Sequence, residues 1–270
     1  MRRLLLCLLI VATGFLSAKS ETVHIYVSPA GNDRHTGSKE QPVASLTAAR
    51  DLIRGLRTQK SISDTIYVEV SSGEYFMNQP LALTTADGGT AQSPVVFRGQ
   101  PGKRTVFYGG LATGRFEVVQ PGLWRVFVPE VATYGLYFEQ LYVNGERRFR
   151  AQTPNRGDFF RVNRTDETLI DTVGARLASF AMQKVILNAD GVRILQEIDR
   201  AAINDALVIF YHNWDNTRKR INHISAIDTA FYFTGQGMKP WNKLNSNSRY
   251  IVENYRKALD APGEWFLQRD

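Results

Sequence analysis

"TIYVEVSSGEYF", residues 65–76, places a short alternating run directly against a Ser-Ser-Gly turn and a second aromatic segment. Ile66, Val68 and Val70 fall on one side of an extended chain and Tyr67 and Glu69 on the other, the period of a strand with one buried face. Neighbouring segments repeat the design: "PLALTT" at 80–85, "SPVVFRG" at 93–99 and "RTVFYGG" at 104–110, with Gly, Asn and Asp turns between them. The spacings Val68 to Val95 and Leu81 to Thr105 each match one solenoid repeat of roughly 20–50 residues. Such a chain is expected to coil into short parallel strands whose rungs bury their apolar faces by stacking.

Toward the N-terminus, Val23, Ile25 and Val27 alternate as another strand, and "SPAGNDRHTGS" at 28–38 is loop chemistry. Asn32-Asp33 reads as a turn rather than a calcium loop. Ser45 can cap a helix whose apolar residues Leu46, Ala49, Ile53 and Leu56 share one face. That helix is expected to cover the exposed end of the first rung.

Residues 1–20 have the layout of a signal peptide: Arg2 and Arg3, an apolar run Leu4 to Val11, and Ala18-Lys19-Ser20 at its end. Cleavage after Ser20 and export to the periplasm, cell surface or medium are expected. Cys7 is the only cysteine, so the exported chain would hold no disulfide and must rely on an ordinary core. The formal net charge is +7; losing Arg2, Arg3 and Lys19 takes 33 basic residues to 30 against 26 acidic, a mild +4. The balance argues against a nucleic-acid partner, and beyond the leader no apolar run is long enough for stable membrane insertion.

Residues 21–115 are therefore expected to hold the cap and first rungs, and 116–250 an inserted antiparallel β-rich domain. In the insert, Asn144-Gly145 lies between alternating segments as a hairpin turn. "ALVIFYHNW" (206–214) and "INHISAIDTAFYFTG" (221–235) read as strands joined by the turn "DNTRK", while 166–205 carries helical fragments and an "NADG" turn. Residues 251–270 read as a return segment. Ile251, Tyr255 and Leu259 share a helical face, Pro262-Gly263 ends the helix, and a strand starts at Glu264. The expected fold class is mainly β: the capped start of a coil of short parallel strands, a parallel β-helix, interrupted by an antiparallel domain.

"YVSPAGNDRHTGSKEQPVASLTAARDLIR" (26–54) resembles the opening of secreted right-handed parallel β-helix proteins of the pectin-lyase-like superfamily. "LYVNGERRFRAQTPN" (141–155), "FYHNWDNTRKRI" (210–221) and "ALDAPGEWFL" (258–267) are similar to a narrower group, the β-helix glycoside hydrolases of Bacteroidetes, which include enzymes acting on fucose-containing and xylan-type glycans. The resemblance implies an exported carbohydrate-active protein whose partner is a polysaccharide or oligosaccharide. It also implies relatives about twice as long, with catalytic carboxylates on later rungs, so that this chain is the non-catalytic N-terminal part. The alternatives are a glycan-binding or cell-surface β-helix protein and a non-functional truncated product. An open last rung would favour self-association.

Glycoside hydrolysis requires two carboxyl groups flanking the scissile bond. The candidates within the matched motifs are Asp215, Glu253, Asp260 and Glu264. Asp260 and Glu264 flank a Pro-Gly turn and are expected to bind its amides, and Glu253 is expected at a helix start. For sugar binding, His212, Trp214, Arg218 and Trp241 supply ring faces and polar donors. Strand alternation also offers a packing role for Trp214 and His212, both turned inward, and the same applies to Trp241 and Trp265. His24, His35, His212 and His223 lack metal-ligand spacing, and no nucleotide loop, nucleophile elbow or zinc motif occurs, so neither metal nor cofactor is expected.

Overall fold

The computed structural model describes residues 22–59, 62, 64–172, 179–238 and 241–269. The leader sequence at 1–20 lies outside them. Two compact units divide between Thr113 and Gly114. The chain is mainly β, and no helix among the described residues is long and apolar enough to cross a membrane.

In the first unit β1 (Val23–Val27), β2 (Ile66–Val70) and β4 (Val95–Gly99) pair in parallel, with β3 (Gly73–Phe76) and β5 (Thr105–Tyr108) forming a second parallel pair. Equivalent apolar positions stack: Val23 on Ile66 on Val95, and Ile25 on Val68 on Phe97. Aromatic residues do the same between β3 and β5, Tyr75 on Phe107 at 4.9 Å and Phe76 on Tyr108 at 5.0 Å. The register differs from the sequence expectation. Val68 pairs with Phe97, not Val95, and the partner of Thr105 is Gly73, not Leu81.

The reason is that "PLALTT" forms no strand. It belongs to a loop tied to helix α1 (Leu46–Gln59) by three arginines at successive turns. Arg50 donates to the Ala82 carbonyl at 2.9 Å, Arg54 grips the Asp87 carboxylate at 2.5 and 2.6 Å, and Arg57 reaches the carbonyls of Gly88 and Ser93. A polar stripe beside the apolar one thus gives the helix two jobs. Its apolar face buries Ala49 and Ile53 against Ile25, Val27, Val43, Ile66 and Val68. Ser45 caps it, Oγ accepting from the Ala48 amide at 3.0 Å. Asp33 holds the cap, accepting from the amides of Ala44 and Ser45 and from Ser45 Oγ, each at 2.8 Å. Gly31 permits the loop to approach: a Cβ there would lie 2.3 Å from the Val43 carbonyl oxygen.

The second unit begins with a hairpin of β6 (Glu117–Gln120) and β7 (Leu123–Arg125), helix α2 (Pro129–Tyr134), and a tight hairpin of β8 (Tyr142–Val143) and β9 (Glu146–Arg147). Asn144 and Gly145 both take positive φ there, 55° and 78°, as their two-residue turn requires. Short strands β10 (Phe149–Arg150) and β11 (Gln152–Thr153) lead into β12 (Phe160–Asp171), β13 (Phe180–Leu187), helix α3 (Ile194–Glu197), β14 (Leu207–Tyr211), β15 (Asn216–Arg220), β16 (His223–Ser225), β17 (Ala230–Gln236), β18 (Arg249–Glu253) and β19 (Glu264–Trp265). Most of these make one antiparallel sheet in the order β15-β14-β18-β12-β13-β17-β16, with β11 on β18. The sheet curls round a single core containing Phe160, Val162, Val185, Val208, Phe210, Phe231, Phe233, Tyr250 and Val252. Its two edges meet beyond Ile221, where the Asn222 amide donates to the Tyr232 carbonyl at 3.0 Å.

Three expectations need correction. "DNTRK" is mostly strand: β14 and β15 form a hairpin with its turn at 212–215. The stretch from 166 is not helical at first; β12 and β13 make a long hairpin with two bulges. Much of β12 is exposed, so it lacks the one-sided apolar pattern that reveals a strand. Finally, Ile251 lies in β18, not on a helix, and the expected boundary at 250/251 falls inside that central strand.

The terminal strand finds its partner within the chain, β19 lying parallel to β10. Asn254 pins it. With φ at +63° and 2% exposure, it donates to the carbonyls of Asp205 and Leu267, both at 3.1 Å, and accepts from the Leu267 amide at 2.7 Å. Every polar atom of the side chain is used where burial would otherwise penalise it.

Candidate functional site

The turn between β14 and β15 is built by the His212 amide donating to the Asp215 carbonyl at 2.9 Å. This lifts Trp214 out of the sheet: it is 72% exposed, contrary to the inward packing that strand alternation offers it. Trp241, 53% exposed, lies against it with ring centroids 6.0 Å apart and planes within 13°. Next to them in sequence, Asn242 Nδ2 donates to Asp215 Oδ1 at 2.7 Å, coupling the two segments that carry the indoles. His212 Nε2 contacts Thr217 Oγ1 at 2.8 Å and steadies the same turn.

Beside this pair lies a cleft of about 540 Å³, lined among others by Asp215, Thr217, Lys219, Thr234, Gln236 and Asn242. It is the mouth of the curled sheet. Thr217 and Lys219 share the inner side of β15, and Phe233 and Met238 also line the cleft. Lys219 Nζ donates to the Gln236 carbonyl across the mouth. Burial pushes the Lys219 amine below its usual pKa, against an opposing pull from Glu167.

Arg218 alternates to the outer side of β15. There it pairs with Glu139 at 2.9 Å and lies 3.7 Å from Glu253. Burial raises the Glu253 carboxyl above its usual range, with Arg150 and Arg218 pulling the other way. Arg150, 6% exposed, donates to the Phe138 carbonyl at 2.6 Å and lies over the rings of Tyr137 and Trp265. This ionic cluster lies on the sheet face opposite the Thr217–Lys219 side of the cleft. Glu253 ends a strand and is not at a helix start.

The remaining candidates have local roles. Glu264 Oε2 accepts from the amides of Asp260 and Ala261 at 3.2 and 3.1 Å, as a turn carboxylate does. Burial raises its pKa and those amides oppose the rise. Trp265 is buried, stacked on Phe138 at 5.3 Å. His24 contacts Glu69 at 2.9 Å, His35 the Pro42 carbonyl at 3.1 Å, and His223 packs on Tyr232. Among the described residues no three His, Cys, Asp or Glu side chains are grouped to hold a metal.

The structure therefore brings together Trp214, Asp215, His212 and Trp241, and separately Arg218 with Glu253. Sequence reasoning missed Lys219, Thr217, Gln236 and Asn242. The alternation of "NTRKR" is the signal that separates Lys219 from Arg218; the other contributors come from distant segments. An exposed aromatic pair is not in itself decisive. Trp124 is 62% exposed beside Phe116, but their planes are tilted by 51° and neither lines the cleft.

A solved structure of a glycoside hydrolase matches over 91% of this chain, with 25% sequence identity and a TM-score of 0.72. The chain has a glycoside hydrolase-like fold. It spans 41% of that chain's length. A complex of XylC with xylose also aligns, at 14% identity over 87% of this chain and 32% of that one, but its TM-score of 0.25 is too low to support a structural argument. No protein-family model and no curated protein sequence matches.

Proposed function

We propose that the chain is part of an exported, carbohydrate-active protein of glycoside hydrolase type. In this reading, its first unit starts a right-handed parallel β-helix, its second unit holds glycan, and the hydrolytic carboxylates lie outside it. The supporting observation is the stacked, near-parallel and exposed Trp214–Trp241 pair beside a polar cleft. Indoles leave a large apolar area in water unless a ligand covers it, and a flat apolar face ringed by amide and hydroxyl groups is the usual complement of a sugar.

The catalytic part of the proposal rests on the fates of the carboxylates. Asp215 is bound to Asn242, Glu264 to turn amides, and Glu253 shares Arg218 with Glu139. None is a free acid facing a second free carboxylate across the cleft, as hydrolysis needs. Export rests on the leader-like residues 1–20. Self-association is proposed for the edge strands β4 and β5, whose Phe97 and Phe107 are 36% and 39% exposed.

Titration calorimetry of the chain with xylotetraose, cellotetraose and pectic fragments tests the reading. Binding of at least one of these glycans is expected, without release of reducing sugar. Trp214→Ala with Trp241→Ala should weaken it at least ~10-fold, the equivalent of uncovering one aromatic face. Turnover that disappears in Glu253→Gln or Asp215→Asn would move catalysis into this chain. Failure of every glycan to bind would end the proposal.

A further inference from the structure

The cleft contains an ammonium, that of Lys219, which no described carboxylate contacts directly; Glu167 acts on it only at a distance. Lys219 lies on the inner side of β15, and among the described residues it forms no ion pair. Its neighbours are compensated: Arg218 has Glu139 and Glu253, and Arg220 lies 3.6 Å from the Tyr137 ring centroid. Lys184, elsewhere on the sheet, has Asp228 at 2.7 Å. Among the described residues Lys219 Nζ has the Gln236 carbonyl as its one hydrogen-bond partner, leaving donors of its ammonium for something else.

The nearby carboxylates keep their charge but are held away from Lys219 by other hydrogen bonds. Asp215 accepts from Asn242. Glu167 Oε2 accepts from Gln183 Nε2 at 2.7 Å and from the Met238 amide at 3.0 Å. A half-buried ammonium without a carboxylate in direct contact is costly, and an apolar side chain of similar length would fill the space at lower cost. Snorkelling of the stem does not account for the position, because it would carry the charged end to open water instead of holding it across the mouth of the sheet.

We propose that the glycan taken by this cleft carries a singly charged anionic substituent, a uronate carboxylate or a sulfate ester, and that Lys219 recognises it. This rests on the reading of the cleft as a glycan site. The sugar ring lies by Trp214 and Trp241, and Thr217, Thr234 and Asn242 are placed to meet its hydroxyls. The ligand's anion supplies the direct ion pair that Lys219 lacks among the described residues. Neutral chains can stack on the same indoles but leave the ammonium unpaired.

The test pairs each acidic oligosaccharide with a neutral counterpart: trigalacturonate and a glucuronate-branched xylotetraose with their carboxyl-reduced forms, and a sulfated galactotetraose with its desulfated form. Calorimetry on the full chain at low salt should show at least one anionic member binding ~10-fold or more tightly than its neutral partner, the size of one charge-assisted hydrogen bond. Lys219→Met should abolish that preference while neutral binding persists, and Lys219→Arg should keep it. Preference confined to the sulfated pair assigns the anion as a sulfate ester; preference in the other pairs assigns a carboxylate. Equal binding of both members of every pair overturns the inference and leaves the glycan cleft intact. Loss of neutral binding in Lys219→Met also overturns it, by making Lys219 a structural prop. If wild type binds no glycan of either kind, the cleft reading itself fails and the inference fails with it.

Discussion

The two units solve the same problem, hiding one face of a sheet, in opposite ways. The first stacks parallel strands in register and needs an added element, helix α1, to cover the apolar positions of β1 and β2. The second bends one antiparallel sheet until its own inner face is enclosed. A covered sheet depends on its cover, whereas a curled sheet depends on the segments that close its seams. The parts most sensitive to substitution should therefore differ: a helix residue in one unit, a buried loop residue in the other.

Ile53→Asp is expected to have the largest effect. Ile53 is 2% exposed beneath the helix, and a charge there loses apolar burial and gains an unpaired carboxylate. About 4 kcal/mol or more of destabilisation is expected. Trp124, Trp214, Trp241 and Trp265 all fall beyond Thr113, so indole emission reports on the second unit alone. Circular dichroism should show an early loss of structure while the emission transition stays in place. A shift of both together would show that the units do not melt separately.

Asn254→Ala is the corresponding change in the second unit. It removes three buried side-chain hydrogen bonds and leaves a non-glycine residue at positive φ. About 3 kcal/mol is expected in urea unfolding followed by indole emission. Asn254→Gly relieves only the backbone part, so it should recover about 1 kcal/mol of that loss. Equal effects of Ala and Gly would assign the cost entirely to the lost hydrogen bonds.

The contrast also explains what could be read from the sequence. In the first unit each rule acts within a short window: alternation in "IYVEV", a cap at Ser45, helical spacing through Ile53. Only the register escaped, because "PLALTT" looks like a strand until Arg50, Arg54 and Arg57 are seen to hold its loop. In the second unit the informative contacts join distant residues. Exposed β12 shows no apolar stripe, and Ile251 fits a helical spacing and a strand equally well. Trp214 and Trp241 were legible as sugar-binding types, but not as a stacked pair, because their meeting depends on the Asp215–Asn242 bond. Lys219 drew no notice because a lysine among "TRKR" reads as solvated surface until the curl of the sheet turns it inward.

Acid should act on both units through carboxylates held in the charged form. Arg54 is the main cause that keeps the Asp87 pKa well below the usual carboxylate range, with Thr84 assisting against burial. Lys184, then Tyr232 and Ser225, bring Asp228 down to about 2 from 3.8. Since both folded values are depressed, the stabilisation is complete above the unfolded value and is lost as pH falls through it toward the folded one. Asp228→Asn should therefore flatten the emission-detected loss of stability between about pH 4 and 2. An unchanged acid profile would mean that Asp228 is not among the groups driving it.

The smallest effect examines how closely the curled core is packed. Tyr250 is fully buried, and its hydroxyl has no hydrogen-bond partner among the described residues. Removing an unsatisfied buried hydroxyl restores no lost bond and relieves a desolvation penalty, so Tyr250→Phe should be neutral or stabilising by up to about 1 kcal/mol. Gly191 makes the site sharper. A Cβ there would lie 2.2 Å from the Tyr250 hydroxyl oxygen but 3.5 Å from the ring carbon bearing it, which is ordinary contact. Gly191→Ala alone should cost about 1–3 kcal/mol as overpacking. In the Tyr250→Phe background the obstructing atom is gone, and most of that cost should vanish. The double-mutant cycle reads this directly as a coupling energy between residues 191 and 250. A Gly191→Ala penalty that persists undiminished without the hydroxyl would place its origin in the backbone of the 188–191 turn, and the core of the curled sheet would then be looser around Tyr250 than its complete burial implies.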